Sequence, residues 1–253
     1  MGAEIDSSDS RLRLPVWVAK LSWAEVATSA AGAILPVGAA SKEHGYHLPL
    51  NTDFLQAEWF AARAARRFEL LVWPTLSYGY YPAFIGYPGS ISLSRATFVA
   101  AAREVIDGIL RAGARRVFVL NTGVSTIAPL QEAVAASACS KAVLLINIYQ
   151  GPRYLSAVAE LQQQAFGGHA DEIETSIMLA IAPQEVNLSR AVGSSKPLST
   201  GVLNRNHPDG PNYSPSGATG EPRLATARKG EVFVEAILAD LEQEIKQALE
   251  GDT

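Results

Sequence analysis

The densest group of polar side chains in the sequence lies between positions 42 and 53. Two histidines, His44 and His47, follow Lys42 and Glu43, and Asp53 comes nine residues after His44. Imidazole and carboxylate groups together are ligands that suit zinc, manganese and iron. The spacing predicts a loop that wraps a metal ion, and for so short a motif the alternative is a loop that is merely structural or solvated.

This polar loop follows one of several short apolar runs that predict buried strands. The runs alternate with longer segments whose apolar residues recur every three or four positions, as on a helix with one buried face. Such alternation predicts an α/β fold, a three-layer sandwich with a mainly parallel central sheet flanked by helices. Ligands of such sheets bind at the carboxyl ends of the strands, so the site is expected there. The predicted strands are 33–37, 70–73, 117–120, 142–148 and 177–181, and the predicted helices are 54–68, 95–112, 127–138, 154–166 and 231–249.

Two long segments interrupt the alternation and are predicted to be functional loops. Residues 75–94 are rich in Tyr, Gly and Pro, and residues 193–222 are rich in Ser, Gly, Pro and Asn. The aromatic side chains of the first loop suit a small ring-shaped substrate, a contact with a neighbouring subunit, or both. The polar side chains of the second either reach the site or stay in solvent. The aromatic residues are Tyr78, Tyr80, Tyr81, Phe84 and Tyr87, and the polar ones are Asn204, His207 and Asp209.

Composition excludes several classes of protein. The 21 Lys and Arg nearly balance 25 Asp and Glu and form no basic stripe, so nucleic acid is not an expected partner. The longest apolar runs are far shorter than the roughly 20 residues that cross a bilayer, so no membrane span is expected. Residues 1–14 lack the pattern of a secretory signal, which predicts a cytoplasmic protein. Cys139 is expected to pack in the core, and residues 1–253 are expected to form a single domain.

Four ordered motifs resemble those of the creatininase (creatinine amidohydrolase) family. Segment 35–53 resembles the family pattern L-P-V-G-S-x-E-Q-H-G-P-H-L-P-x-x-T-D. Segments 78–93 and 169–176 resemble Y-G … F-P-G-T-I-S-L and H-A-G-E-x-E-T-S, and segment 220–230 resembles G-D-P-T-L-A … K-G. Because each further match in order multiplies the odds against accident, the chain is identified as a divergent member of this family.

The resemblance implies a reaction, a cofactor and an assembly. Members of the family usually carry two adjacent metal ions, bridged by the aspartate that matches Asp53, and His44 and Glu174 match the remaining ligands of one ion. The implied activity is metal-dependent hydrolysis of a carbon-nitrogen bond other than a peptide bond, in a small amide, cyclic amide or formamide. The implied cofactor is zinc, manganese or iron, and the implied assembly is a homo-oligomer, often a hexamer.

The sequence departs from the family pattern at the ligands of the other ion. The glutamate that stands two residues before the first histidine is replaced by Lys42, and the loop holds one extra residue. The histidine of the family's N-G-H-G-G-N motif is replaced by Gly123, and a further histidine, four residues before P-G-T, by Phe84. The first two losses predict one metal ion per chain rather than two, and all three argue against creatinine itself as the substrate.

Four residues near the predicted ligands are candidates for catalysis. The ammonium of Lys42 is expected either to replace part of the missing positive charge and contact the oxyanion or the attacking water, or to lie on the surface. Glu43 is a candidate general base, or a stand-in for the family's glutamate. His169 and Glu172 are candidates to protonate the leaving nitrogen or to orient a ligand. His47 is expected to orient a ligand rather than to bind the ion.

A second interpretation comes from another class of protein. It is a catalytically silent relative that keeps the fold and the oligomer and binds a small molecule in a structural or regulatory role, since a fold does not determine a function. The three matching ligands His44, Asp53 and Glu174 favour the enzyme, whereas Gly123 favours the silent relative. Both interpretations predict a small-molecule partner.

Overall fold

The structure, a computed structural model, describes residues 16–27, 32–194, 196–198 and 201–251. The N-terminal segment 1–14, whose composition argued against a secretory signal, lies outside them. The strands are β1 (Val16–Trp17), β2 (Ala33–Val37), β3 (Leu71–Val72), β4 (Val117–Asn121) and β5 (Val143–Asn147). The α-helices are α1 (Trp23–Ala27), α2 (Thr52–Phe68), α3 (Arg95–Arg111), α4 (Ile127–Ala135), α5 (Pro152–Leu161), α6 (Glu172–Ile181) and α7 (Ala227–Glu250).

The five strands form one parallel sheet in the order β1-β3-β2-β4-β5. From β2 the chain passes through α2 to β3 on one side, and α3 then returns it to β4 on the other side of β2. The direction of winding therefore reverses between β2 and β4, which pair from Ala33 opposite Val117 to Val37 opposite Asn121. Such a reversal opens a crevice at the carboxyl ends of the two strands.

The sheet is apolar on both faces because helices cover both. Ile34 and Phe118 face a core cluster that also contains residues of α2, α5, α6 and α7. Their neighbours Leu35 and Val119 face the opposite cluster, with residues of α3 and α4. Strands covered in this way are continuous apolar runs rather than alternating ones. The predicted three-layer α/β sandwich is confirmed.

The strand predicted at 177–181 is wrong, because this segment is the second half of α6. A short apolar run fits a buried helix as well as a buried strand. Asp171 begins the helix by accepting hydrogen bonds from the backbone N–H groups of Ile173 and Glu174. α6 packs so closely on α7 that a Cβ at Gly230 would overlap the carbonyl oxygen of Ser176. Most of α6 is therefore buried, and its sequence lacks the polar face that would have indicated a helix.

Other differences concern the ends of elements. The predicted strand 70–73 shortens to Leu71–Val72, and the helix predicted at 127–138 ends at Ala135. Cys139 follows that end and is exposed, so the expectation of a core position was wrong. No helix among the described residues has the length and apolar character that a membrane span requires.

Candidate metal centre

A cavity of about 420 Å³ lies at the crevice between the ends of β2 and β4. This volume is in the range of small-molecule sites, roughly 300–1,000 Å³. Five parts of the chain line it: the loop after β2 with the start of α2, the aromatic loop, the segment after β4, the segment after β5, and the segment that leads into α6. Its walls include Lys42, Asp53, Phe84, Tyr149, His169 and Glu174.

The loop after β2 is folded tightly onto the first turn of α2. A Cβ at Gly38 would overlap the carbonyl oxygen of Asp53, so only glycine allows this approach. The hydroxyl of Thr122, just after β4, donates to the carbonyl oxygen of Asp53 at 2.9 Å. These contacts place Asp53 between the ends of the two strands, as the position of the polar loop in the sequence predicts.

His44 is fully buried and presents one ring nitrogen to two carboxylates. Its Nδ1 donates to the carbonyl oxygen of Lys42 at 2.9 Å. Its Nε2 lies 3.0 Å from Oδ1 of Asp53 and 3.7 Å from Oε1 of Glu174. The three predicted metal ligands therefore converge, although Glu174 lies more than 100 residues after the other two in the sequence.

The residues present fit a divalent cation. A carbonyl oxygen can only accept a hydrogen bond, so Nδ1 of His44 must carry a proton. In the neutral imidazole, Nε2 then turns a lone pair toward oxygens that also carry lone pairs. A cation among these atoms removes that repulsion, and ring nitrogen with carboxylate oxygen is a donor set suited to zinc, manganese or iron.

His169 stands closer to these ligands than the sequence indicates. One ligand atom each from His44, His169 and Glu174 lie within 4.8 Å of one another, a group that does not include Asp53. Nδ1 of His169 is 3.7 Å from Oε2 of Glu174, and the same oxygen accepts the backbone N–H of Ala170 at 2.7 Å. His169 can thus exchange a proton at the site or serve as a further ligand.

Lys42 is buried, so the interpretation as a surface lysine is wrong. Its ammonium lies 2.7 Å from Oδ2 of Asp53. Burial opposes ionisation of Asp53, but the adjacent charge of Lys42 favours it, and the net result is a pKa of Asp53 well below its usual range. Asp53 is consequently a carboxylate over the whole range of pH in which the protein would work.

Glu43 pairs with His169 and is sealed from the cavity. Nε2 of His169 lies 2.8 Å from the carbonyl oxygen of Glu43 and 3.1 Å from its Oε2. Gly217, from the long second loop, covers the carboxylate so closely that a Cβ there would overlap it. Burial opposes both charges, yet each partner offsets it in the other, so the pKa of Glu43 is lowered and that of His169 is raised. The geometry favours action of Glu43 on His169 over direct contact with a substrate.

The structure does not bring Glu172 to the cavity. Its carboxylate accepts the backbone N–H groups of Gln163 and Gln164 and the ammonium of Lys229. It therefore ties the start of α6 to α7, which favours a structural role over proton transfer.

His47 contacts a neighbour of the proposed ligands rather than a ligand itself. Its Nε2 forms a hydrogen bond of 2.8 Å with the hydroxyl of Thr175, the residue after Glu174. Burial lowers the pKa of His47 to about 4, despite the nearby Glu174 and Glu43, so its ring is neutral near pH 7.

Sequence reasoning missed Tyr149 and Tyr154, which line the cavity. Tyr149 lies two residues beyond the end of β5, and its position after a strand was the available signal. Of the aromatic loop, Phe84 lines the cavity, whereas Tyr78 is exposed. The three polar residues of the second loop stay away from the cavity: Asn204 bonds to the backbone of its own turn, and His207 and Asp209 are exposed.

The chain is similar to known hydrolases along most of its length. The family model described as creatinine amidohydrolase matches residues 19–245. Creatinine amidohydrolase of Pseudomonas putida is 29% identical, over 92% of this chain and 96% of that protein. A 3-dehydro-scyllo-inosose hydrolase of Thermotoga maritima is 27% identical, over 86% and 77%. A mycofactocin precursor peptide peptidase of Mycolicibacterium smegmatis is 31% identical, over 81% and 80%.

The fold is also similar to solved structures of creatininases over nearly the whole chain. A creatininase mutant described as of the Zn-Zn type superposes with a TM-score of 0.79 at 26% identity, covering 94% of this chain and 99% of that one. A structure described as creatininase Mn gives a TM-score of 0.77 at 27% identity, covering 93% and 99%.

Proposed function

The chain belongs to the creatininase family, and from this we propose that it is a metal-dependent hydrolase of a carbon-nitrogen bond in a small amide, cyclic amide or formamide. The observation that carries the proposal is the convergence of His44, Asp53 and Glu174 beside one cavity. The three similar proteins named above are all hydrolases by name, although their substrates differ. Hydrolysis is therefore better supported than any particular substrate.

We propose that His44, Asp53 and Glu174 hold one divalent ion per chain, zinc or manganese before iron, because the names of similar structures mention the first two. When bound, the ion supplies Lewis-acid chemistry for hydrolysis. The protein's part is to fix the ligands. The carbonyl oxygen of Lys42 holds the ring of His44, and the backbone N–H of Ala170 holds the carboxylate of Glu174. Such outer contacts keep ligands in the geometry that an ion requires.

Two side chains complete the proposed chemistry. Lys42 lines the cavity and donates a hydrogen bond to the oxygen of the substrate carbonyl as negative charge develops there. His169 carries a proton on the cavity side and delivers it to the leaving nitrogen. Its other nitrogen is held by Glu43, which stabilises the charged ring.

The apolar part of the cavity supports a small substrate with a flat or ring-shaped body. Phe84, Tyr149, Tyr154, Val124 and Ile173 contribute to its walls. Aromatic faces of this kind pack well against rings, while the few polar groups fix the orientation of the ligand. Phe84 also occupies the position of a family histidine, which supports a substrate other than creatinine.

The test combines metal analysis with activity. Protein purified without chelator should contain about one equivalent of zinc or manganese and should hydrolyse members of a panel of cyclic amides and formamides. His44→Ala should lose both the metal and the activity, because the ligand set loses its only imidazole in contact with Asp53. His207→Ala, at an exposed histidine, is the control and should keep both. Turnover that survives in His44→Ala would disprove the mechanism.

A catalytically silent relative remains the second candidate, and Gly123 is the observation that favours it. Protein without metal and without turnover on the panel would support this candidate. We further propose a single domain and a cytoplasmic location, as the sequence predicts, and a homo-oligomer on the strength of the family resemblance. Light scattering of the purified protein tests the assembly.

A further inference from the structure

Lys42 is a buried cation at the wall of the cavity, with 5% of its surface exposed. Burial of an ammonium is strongly unfavourable unless the fold provides partners for it. Here the partners are Oδ2 of Asp53 at 2.7 Å and the rings of Tyr81 and Phe84, whose centroids lie 5.6 and 5.1 Å away. The fold thus builds a site for this one positive charge.

Asp53 divides its two oxygens between two positions. Oδ2 contacts the ammonium of Lys42, whereas Oδ1 contacts Nε2 of His44, where the proposed metal ion binds. One carboxylate therefore joins the ammonium to the metal position. Asp53 thus has the arrangement of a carboxylate that bridges two neighbouring cations, with one oxygen on each.

Position 123, in the loop after β4, leaves no room for a longer side chain. A Cβ at Gly123 would lie 2.7 Å from Oγ1 of Thr126 and 3.7 Å from a ring carbon of Tyr81. The hydroxyl of Thr126 is itself held by the side chain of Asn121 and the carbonyl oxygen of Gly123. A longer side chain at position 123 would have to displace this packed group, so this position supplies no ligand.

We propose that Lys42 is a built-in replacement for a second metal ion: its ammonium occupies that position, holds Oδ2 of Asp53 and limits the site to one divalent ion per chain. The inference rests on the proposed function, since it requires an ion at His44, Asp53 and Glu174. An ammonium supplies charge and N–H donors but no open coordination position. Open coordination positions are therefore available only at the one metal ion. The second positive charge of the site belongs to Lys42 and does not depend on the metal concentration.

The test counts ions in variants that exchange the ammonium for a ligand. Metal-free protein is titrated with Zn²⁺ and, separately, with Mn²⁺ by calorimetry, and the ions retained after gel filtration are measured. The variants are Lys42→Glu and Lys42→His, of which the second adds no negative charge beside Asp53. The matched control is Lys229→His, since Lys229 also pairs with a buried carboxylate but does so outside the cavity. Thermal denaturation verifies that each variant is folded.

We expect one equivalent for the wild type and for Lys229→His, and two for a folded Lys42→Glu or Lys42→His. The electron paramagnetic resonance spectrum of the Mn²⁺ form should then change from that of an isolated ion to that of a coupled pair. Two ions in the wild type, or one ion in both folded Lys42 variants, would overturn the proposal and leave the metal-dependent function intact. A wild type that binds no ion would overturn both.

Discussion

At the scale of single residues, hydrogen bonds to the backbone decide what each imidazole of the site can do. His44 is bound by the carbonyl oxygen of Lys42 and His169 by that of Glu43, so in each ring one nitrogen is engaged and the other faces Glu174. Sequence motifs identify both histidines, but they do not show which ring nitrogen faces the carboxylates of the site. The pairing of Glu43 with His169 joins residues 126 positions apart, and only the folded chain reveals it.

The ion pair of Glu43 and His169 predicts a pH-dependent stability of the metal-free protein. The pKa of His169 is higher in the folded protein than its ordinary value of 6.5. Its charged ring therefore stabilises the folded state fully below pH 6.5, and this contribution is lost as the pH rises through the pKa of the folded state. The pKa of Glu43 is lower in the folded protein than its ordinary value of 4.5. Its carboxylate therefore stabilises the folded state fully above pH 4.5, and this contribution is lost as the pH falls through the pKa of the folded state. Glu43→Gln should therefore reduce the free energy of unfolding most near pH 5.5, by about 1–3 kcal/mol, and much less at pH 9.

Denaturant titrations at the two pH values measure this difference. Glu221→Gln is the control, because Glu221 pairs with the largely exposed Arg223 and no histidine takes part in that ion pair. Its effect should be the same at pH 5.5 and pH 9. An equal loss at both pH values for Glu43→Gln would show that His169 is neutral in the metal-free protein.

At the scale of elements, the strands of the centre were predictable and α6 was not. Ala33–Val37 and Val117–Asn121 are buried on both faces, so their sequences carry continuous apolar runs. α6 is enclosed in the same way, and its apolar second half therefore resembles a strand. The signal for a helix was Asp171 at its start, three residues before Glu174, which is a pattern typical of a helix N-terminus.

Asp171 predicts a link between the start of α6 and metal binding. Its carboxylate accepts the N–H groups of Ile173, Glu174 and Gly168, so Asp171→Ala should lower the free energy of unfolding by about 2 kcal/mol. Because the same turn carries Glu174, metal affinity should fall about 10–100-fold. Ser94→Ala removes the corresponding contact of α3 to Thr97 and should cost about 1 kcal/mol without a change in affinity. Titration calorimetry measures the metal affinity of each variant. Equal affinities for the two variants would contradict the link between the start of α6 and metal binding.

At the scale of the whole molecule, the order of the strands assembles the site. The loop after β2 and the loop after β4 meet because these strands are neighbours where the winding reverses. The general rule for parallel sheets predicted that meeting place for His44 and Asp53. Glu174 was identified only by the resemblance of its motif, since it belongs to no strand end and reaches the cavity through α6. The burial of Lys42 could not be predicted, because it depends on Asp53, Tyr81 and Phe84 together.

A metal ion at this meeting place should stabilise the whole fold. Its proposed ligands come from α6 and, more than 100 residues earlier, from the loop after β2 and the first turn of α2. An ion bound only by the folded chain therefore shifts the unfolding equilibrium. Zn²⁺ at about 100 times its dissociation constant should add about 2.7 kcal/mol and raise the melting temperature. The shift, measured by calorimetric melting, should persist in His207→Ala and disappear in His44→Ala. A shift of equal size in His44→Ala would place the ion elsewhere.

The contact between Gly217 and Glu43 has a consequence for the comparison of natural sequences. Gly217 has a φ of 89° and its α-carbon faces the carboxyl group of Glu43, so the position tolerates no side chain while the glutamate is present. Because this φ alone disfavours any side chain, glycine should persist at 217 in most relatives, and another residue should occur there only together with a shorter residue at 43. Where such a paired exchange occurs, His169 would lose its carboxylate partner, which would mark a branch of relatives with a different proton donor.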